Sequence, residues 1–288
     1  MKILSSVRQT QKLALNLRSK KKVIGFVPTM GYLHEGHLSL IRITKKKSDV
    51  VFVSIFVNPL QFSPGEDFQR YPRNIERDKK LCRENGVDYI FCPEASEFYE
   101  EDYSTYVSVE NITDILEGKI RPGHFKGVTT VVLKLFNAIM PHIAVFGQKD
   151  AQQAVVIKKM VKDLNLPINI IIGKTVREQD GLAMSSRNVY LNEEQRKDAA
   201  VLYKALSYAK RKIEAGYNRD IDFLSHQMYK LIKSRPTATK IDYISFNDDE
   251  TLKPVTTLRN LAKNSKILAS LAVRFGSIRL IDNIIIKY

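Results

Sequence analysis

The sequence predicts an α/β protein in which a parallel sheet covered on both faces is followed by a smaller α+β domain. Short apolar runs rich in β-branched residues lie at 23–27, 50–57, 89–92, 143–146 and 168–172. They lack polar alternation, as strands buried on both faces do. Helix-period stretches at 36–47, 74–85, 127–139 and 152–164 alternate with them, and such alternation argues for parallel pairing. The last third differs in texture: helical patterns at 192–215 and 223–233 precede strand-like runs at 241–246, 269–275 and 278–286, the last two joined at Gly276-Ser277. The division predicted is residues 1–175 and 176–288, with no internal repeat.

Composition narrows the class. The 288 residues are 44% hydrophobic and 27% charged, which is globular and excludes a wholly disordered or collagen-like chain. No apolar run approaches the roughly 20 residues of a membrane helix, and the first residues lack the apolar stretch of a secretory signal. Two cysteines, Cys82 and Cys92, are too few for a disulfide framework or a Cys-based zinc site. A soluble protein of a reducing cytoplasm is expected. The net charge of +15 attracts anions in general, but the basic residues are spread along amphipathic segments, and no nucleic-acid-binding motif accompanies them. No nucleic-acid or membrane partner is expected.

In parallel sheets ligands bind beyond the carboxyl ends of the strands, so the segments that follow strands carry the chemistry. The first strand runs into Pro28-Thr29-Met30-Gly31-Tyr32-Leu33-His34-Glu35-Gly36-His37. His34 and His37 are three apart at a helix start, so both imidazoles share one side. Gly36 leaves room for a flat ring or a phosphate, and free first-turn amides favour anions. A nucleotide site fits; so, less well, do two surface histidines or a metal pair short of ligands. Asn58-Pro59-Leu60-Gln61 follows the second strand, and its amides suit a substrate with hydroxyls and a carboxylate, although a plain polar turn reads the same. Gly147-Gln148-Lys149-Asp150 follows the fourth strand, with Gln152-Gln153 opening the next helix. Lys149 suits a phosphate and Asp150 ribose hydroxyls, or the two form a surface ion pair. Met184-Ser185-Ser186-Arg187 lies past the fifth strand, a loop whose hydroxyls and guanidinium can wrap a polyphosphate.

The pairing of His34-x-Gly36-His37 with Met184-Ser185-Ser186-Arg187 resembles the nucleotidyltransferase superfamily shared with class I aminoacyl-tRNA synthetases. The closer resemblance is to the pantoate–β-alanine ligase (pantothenate synthetase) family. It rests on Pro28 to Leu38, Asn58 to Phe62, Tyr71-Pro72-Arg73, Arg121-Pro122-Gly123-His124-Phe125, Phe146 to Gln153, Met184 to Asn188 and Arg279-Leu280-Ile281-Asp282-Asn283, in family order along nearly the whole chain. The resemblance implies a Rossmann-like nucleotidyltransferase domain with a C-terminal lid domain, a homodimer, and condensation of pantoate with β-alanine through a pantoyl adenylate. ATP with Mg²⁺ is the implied co-substrate, with no tightly bound organic cofactor and metal ligands unassigned. It also implies ATP contacts from Met30, Gly31, Tyr32, Leu33, His34, Glu35, Gly36, His37, Gly147, Gln148, Lys149, Asp150, Val176, Met184, Ser185, Ser186 and Arg187. The implied catalytic residues are His37, as proton donor, with His34, Lys149 and Arg187. Gln61 and Gln153 would clasp pantoate, with Asn58 beside them and Gln61 also bordering β-alanine. Arg121 and His124 carry no assigned role. One departure is Ala151, where the family commonly has an aromatic residue. The alternative is a superfamily enzyme that adenylates a different small carboxylic acid. A basic nucleic-acid-binding module is a third reading, and it leaves the paired histidines without a purpose.

Overall fold

The computed structural model describes residues 1–216, 221–259, 261–262 and 264–288. They separate into two compact units, Met1–Gln148 with Val156–Lys174, and Lys149–Val155 with Thr175–Tyr288. Residues 149–155 are thus counted with the second unit although the expected boundary lies beyond them. No helix among the described residues is long and apolar enough to cross a membrane.

The first unit runs β1 (Lys2–Leu4), α1 (Val7–Ser19), β2 (Ile24–Thr29), α2 (Glu35–Lys45), β3 (Val50–Ile55), α3 (Ile75–Glu84), β4 (Tyr89–Phe91), α4 (Ala95–Phe98), α5 (Leu116–Ile120), α6 (His124–Ile139), β5 (Ile143–Gly147), α7 (Ala151–Asp163) and β6 (Asn169–Gly173). The first residues of α7 belong to the second unit. The six strands are parallel, in the order β1-β4-β3-β2-β5-β6. Every residue of β3 is buried, as its unbroken Val-Val-Phe-Val-Ser-Ile run requires of a strand covered on both faces. From β2 the chain winds outward to β3 and β4, then returns so that β5 pairs with the other edge of β2, Gly25 opposite Ile143. Strand order therefore reverses between β2 and β5, and their carboxyl ends, at Thr29 and Gly147, flank the crevice where open α/β sheets bind ligands.

β1 and α1 come without a sequence expectation. The buried stripe of α1 is narrow, with only Thr10 and Ala14 fully covered, so its periodicity is weak. In contrast α6 is buried nearly all round, and the chain enters and leaves it through left-handed residues, Gly123 at φ 80° and Met140 at φ 49°.

The second unit holds α8 (Glu193–Ala199), α9 (Val201–Glu214), α10 (Ile221–Lys233) and an antiparallel sheet in the order β7-β8-β9, formed by Ala238–Asp248, Lys266–Phe275 and Ile278–Lys287. The single helix expected over 192–215 is two. Its ladder breaks at Ala200, where ψ relaxes to −16°, while the Asp198 carboxylate turns to accept the Thr237 N–H and hydroxyl. The apolar stripe continues through Ala199, Val201, Leu202, Ala205, Leu206 and Ala209, so a one-residue break leaves periodicity intact.

One close approach matters for the site. A Cβ on Gly127 of α6 would lie 2.2 Å from the Leu60 carbonyl oxygen and 2.7 Å from the Gln61 nitrogen. Helix α6 therefore seats the 58–61 turn by direct backbone contact. Gly127→Ala is expected to destabilise the chain by about 1–3 kcal/mol, as overpacking does, despite the better helix propensity of alanine. Urea unfolding of the variant beside the parent chain checks it; an unchanged midpoint would contradict the contact.

Candidate active site

β2 ends at Thr29, and the chain crosses a turn in left-handed conformation at Gly31 (φ 82°) and Tyr32 (φ 50°) before α2 begins. The turn is held from beneath. Thr29 Oγ1 accepts the Gly31 N–H at 3.1 Å, and the buried Asp78 carboxylate of α3 accepts the N–H of Tyr32 at 2.7 Å and of Leu33 at 2.8 Å. Burial raises the Asp78 carboxyl above its ordinary value, against the lowering effect of those two hydrogen bonds and of Arg77. The guanidinium of Arg77 also sits 5.2 Å from the centroid of the Tyr32 ring.

The two histidines cap α2 reciprocally. His34 Nδ1 accepts the Gly36 N–H, and His37 Nδ1 accepts the His34 N–H, each at 3.2 Å. The rings lie 4.1 Å apart, centroid to centroid. A ring nitrogen that accepts an N–H carries no proton, so in each neutral imidazole the proton is on Nε2. The turn thus holds two Nε2–H donors of fixed tautomer. The expectation of free backbone amides is corrected: those of 31–34 and 36 are taken by Thr29, Asp78 and the imidazoles, and that of His37 by the His34 carbonyl. The Leu33 side chain is fully buried in the core and its N–H belongs to Asp78, so an ATP contact from Leu33 would fall to its carbonyl. Met30, Tyr32, His34, Gly36 and His37 are part-exposed and Glu35 is exposed.

Gln61 lies at the end of a 3-10 turn, Pro59–Gln61, and its carboxamide Nε2 is 3.0 Å from Met30 Sδ. Asn58 is reassigned. Its Nδ2 donates to Gln61 Oε1 and to the Gly127 carbonyl, and its Oδ1 accepts the Leu60 N–H and the Tyr99 hydroxyl. With its four hydrogen-bonding capacities spent inside the protein and 1% exposure, Asn58 orients Gln61 rather than meeting a ligand.

Arg121 and His124, unassigned from sequence, converge on the Gln61 carbonyl. His124 Nδ1 lies 2.8 Å from it and Arg121 Nη2 3.2 Å, while Arg121 Nη1 is 3.1 Å from His124 Nε2. A guanidinium only donates, so His124 Nε2 accepts and its Nδ1–H donates to the carbonyl. Glu66 anchors the guanidinium through both oxygens, at 2.6 and 2.7 Å. Burial raises the Glu66 carboxyl, and Arg121, with smaller help from the Ser63 backbone and His124, reverses this and leaves it below its usual value. Burial, with the Arg121 charge beside it, pushes His124 down to about 4.

Gly147 ends β5 and Gln148 follows it, both part-exposed in the first unit. In the second unit, Lys149 Nζ is 3.3 Å from Asp150 Oδ1, and half-buried Gln153 lies in the first turn of α7. A partly exposed ion pair of this kind is weak. Ala151 is buried despite its small size. The Met184 loop is a bounded turn: the Met184 N–H donates to the Val176 carbonyl, Arg177 bridges Ala183, and Ser185 Oγ caps a 3-10 turn over Ser186–Tyr190 by accepting the Arg187 N–H. Asn188 Nδ2 ties it to Glu178 and the Ala183 carbonyl.

Asp78 is the residue that sequence reasoning missed. It reads as an ordinary first-turn acid, suited to the helix dipole. The signal was its position four before Cys82, on the buried stripe of α3, where a lone carboxylate needs a partner.

Rossmann-like α/β enzymes place their nucleotide crevice where strand order reverses, and in this chain the paired imidazoles stand at that end of β2; the fold is of that class. The family model described as pantoate-beta-alanine ligase matches residues 2–285, and the chain belongs to that family. A pantothenate synthetase from Caldicellulosiruptor bescii is 54% identical over 287 residues, covering 100% of this chain and 99% of the relative. A crystal structure of pantothenate synthetase from Thermus thermophilus is 42% identical with a TM-score of 0.90, covering 99% of each chain. The Francisella tularensis pantoate-beta-alanine ligase, solved in complex with beta-gamma ATP and beta-alanine, is 35% identical with a TM-score of 0.79, over 99% of this chain and 97% of that one.

The low value at His124 sets a pH dependence. Its folded value of about 4 lies below the ordinary 6.5, so the unfolded chain binds the extra proton first. Stability from this group is complete above about 6.5 and is lost as pH falls towards 4, by about 3 kcal/mol in all. Urea unfolding between pH 7 and 4 measures the slope. His124→Gln, which can still donate to Gln61 and accept from Arg121, is expected to flatten it, and an equally steep loss in that variant would remove His124 as its source.

Proposed function

We propose that this chain joins (R)-pantoate to β-alanine at the expense of ATP, through a pantoyl adenylate. A pantoate carboxylate oxygen attacks the α-phosphorus, the bond to the bridging oxygen of the β-phosphate breaks, and pyrophosphate leaves. The neutral amine of β-alanine then attacks the activated carbonyl, the acyl–oxygen bond to AMP breaks, and the nitrogen gives up a proton. The observation that carries the reading is the family match over residues 2–285. The Francisella relative, whose complex contains an ATP compound and β-alanine, supports the substrates. No observation favours a different carboxylic acid.

The residues suit this chemistry. His34 and His37 would offer their Nε2–H groups to phosphate oxygens, an electrostatic stabilisation that needs no rearrangement because the caps already hold the rings. With the amides of 31–34, 36 and 37 taken, the remaining charge of ATP would fall mainly to Lys149, Arg187, Ser185 and Ser186. Gly147 and Asp150 would meet the ribose, Gln148 would lie beside them, and Val176 and Met184 would border the adenine and phosphates. Gln61 and Gln153 would hold pantoate, with Gln61 also next to β-alanine. Mg²⁺ would arrive on the phosphates. Among the described residues no group of three or more His, Cys, Asp or Glu gathers as a metal site, and Mg²⁺ on nucleotides needs few protein ligands. A homodimer working in the cytoplasm completes the proposal, on the family resemblance.

Pyrophosphate release is the test. With ATP, Mg²⁺ and pantoate alone, one equivalent is expected in a burst, and turnover only after β-alanine is added. A burst with other acids but none with pantoate would overturn the substrate. His37→Ala is expected to slow the burst by about 10²–10³, as the loss of one oxyanion-type donor does; an unchanged burst would remove it from the chemistry. Gln61→Ala is expected to raise the KM for pantoate far more than that for ATP, and an equal rise in both would refute its assignment.

A further inference from the structure

The Arg279-Leu280-Ile281-Asp282-Asn283 segment belongs to β9 and has no part in the reaction as described. Its last two residues nevertheless hold both segments of the second unit assigned to ATP. Asp282 is 1% exposed, and its carboxylate takes Arg177 through both oxygens, Oδ2 from Nη1 at 2.6 Å and Oδ1 from Nη2 at 2.9 Å. Arg177 also donates to the Gly181 carbonyl at 3.0 Å and the Asn283 carbonyl at 3.1 Å, and its guanidinium lies 4.0 Å from the centroid of the Tyr203 ring. It stands next to Val176 and bridges Ala183, immediately before Met184. Asn283 Nδ2 reaches the other segment and donates to the Lys149 carbonyl at 2.8 Å.

A buried ion pair is poor glue. Desolvation offsets much of the attraction, and apolar residues of similar volume often hold a fold as well. What a bidentate guanidinium–carboxylate pair supplies beyond that is direction. The Lys149 turn and the 176–187 segment are separated in sequence, and each is tied to an adjacent residue of one rigid strand. Binding groups must be held within a fraction of an ångström to act together.

We propose that Asp282 and Asn283 are positioning residues for adenylate formation: Asn283 fixes the backbone that carries Lys149, and Asp282, through Arg177, fixes the segment that carries Val176 and Met184 to Arg187. This rests on the reading that those two segments serve ATP.

The test is steady-state and burst kinetics on full-length Asn283→Ala, Asp282→Asn and Lys149→Ala, each checked for folding by circular dichroism and thermal melting. Asn283→Ala loses one neutral hydrogen bond and is expected to raise the KM for ATP about five-fold, with a slower pyrophosphate burst and an unchanged KM for β-alanine. Asp282→Asn is expected to raise the KM for ATP about ten-fold or more, because it leaves the Arg177 charge uncompensated. Should that variant not fold, Asn283→Ala decides alone. A merely structural role would lower the melting temperature and the folded fraction while the folded enzyme kept its KM for ATP. That result, or a parallel rise in the KM of every substrate, overturns the proposal. Lys149→Ala separates the two layers. If it leaves ATP binding and the burst unchanged, the ATP reading of that segment fails and the proposal falls with it; if it impairs them while Asn283→Ala does not, only the positioning role fails.

Discussion

The candidate site depends on one buried carboxylate. Asp78 takes the amides of Tyr32 and Leu33 and so stabilises a left-handed pair that a tyrosine does not readily adopt. That turn decides where α2 begins, and the beginning of α2 decides how the imidazoles cap it. Without an acceptor beneath, two amides would be orphaned next to the core, at a cost of about 1–3 kcal/mol each. The carboxylate has a chemical consequence too. It occupies the two amides just before α2, while His34 takes those of Gly36 and His37 in the first turn of the helix. Beside it stands a pair of imidazoles whose Nδ1 atoms are both engaged by backbone amides.

The same logic recurs around Gln61. Its carbonyl is held by His124 and Arg121, and its carboxamide oxygen by Asn58, which is itself saturated by Gly127, Leu60 and Tyr99. The residue has almost no freedom left, which reduces the ordering entropy of binding. Neutrality at His124 is part of this design. A protonated ring would still donate to the carbonyl, but it would lose the acceptor for Arg121 and set two cations side by side in a buried place.

Much of the fold was legible because burial on both faces leaves a plain trace: β2 and β3 read as unbroken apolar runs, and α2, α6 and α7 as periodic ones. The elements that escaped have weak traces for physical reasons. Helix α1 has a narrow buried stripe, and the break at Ala200 does not interrupt the apolar spacing. In the site, His34 and His37, Gln61, and the Lys149 and Met184 segments were legible as chemistry-bearing residues after strands. Asp78 and the roles of Arg121 and His124 were not. Each acts on backbone atoms far away in sequence, and a backbone amide or carbonyl has no signature in the residue that carries it.

By itself the sequence determined the class of elements and the family, because these follow from local periodicity and from side chains placed at fixed offsets. Only the tertiary structure decided that β5 returns beside β2, with Gly25 opposite Ile143, and so where strand order reverses. It also decided the tautomers of His34, His37 and His124, which of the turn amides are spent, and that Asn58 faces inward. These are properties of pairs of atoms, set by which groups are brought within about 3 Å of each other, and no single position in the chain contains them.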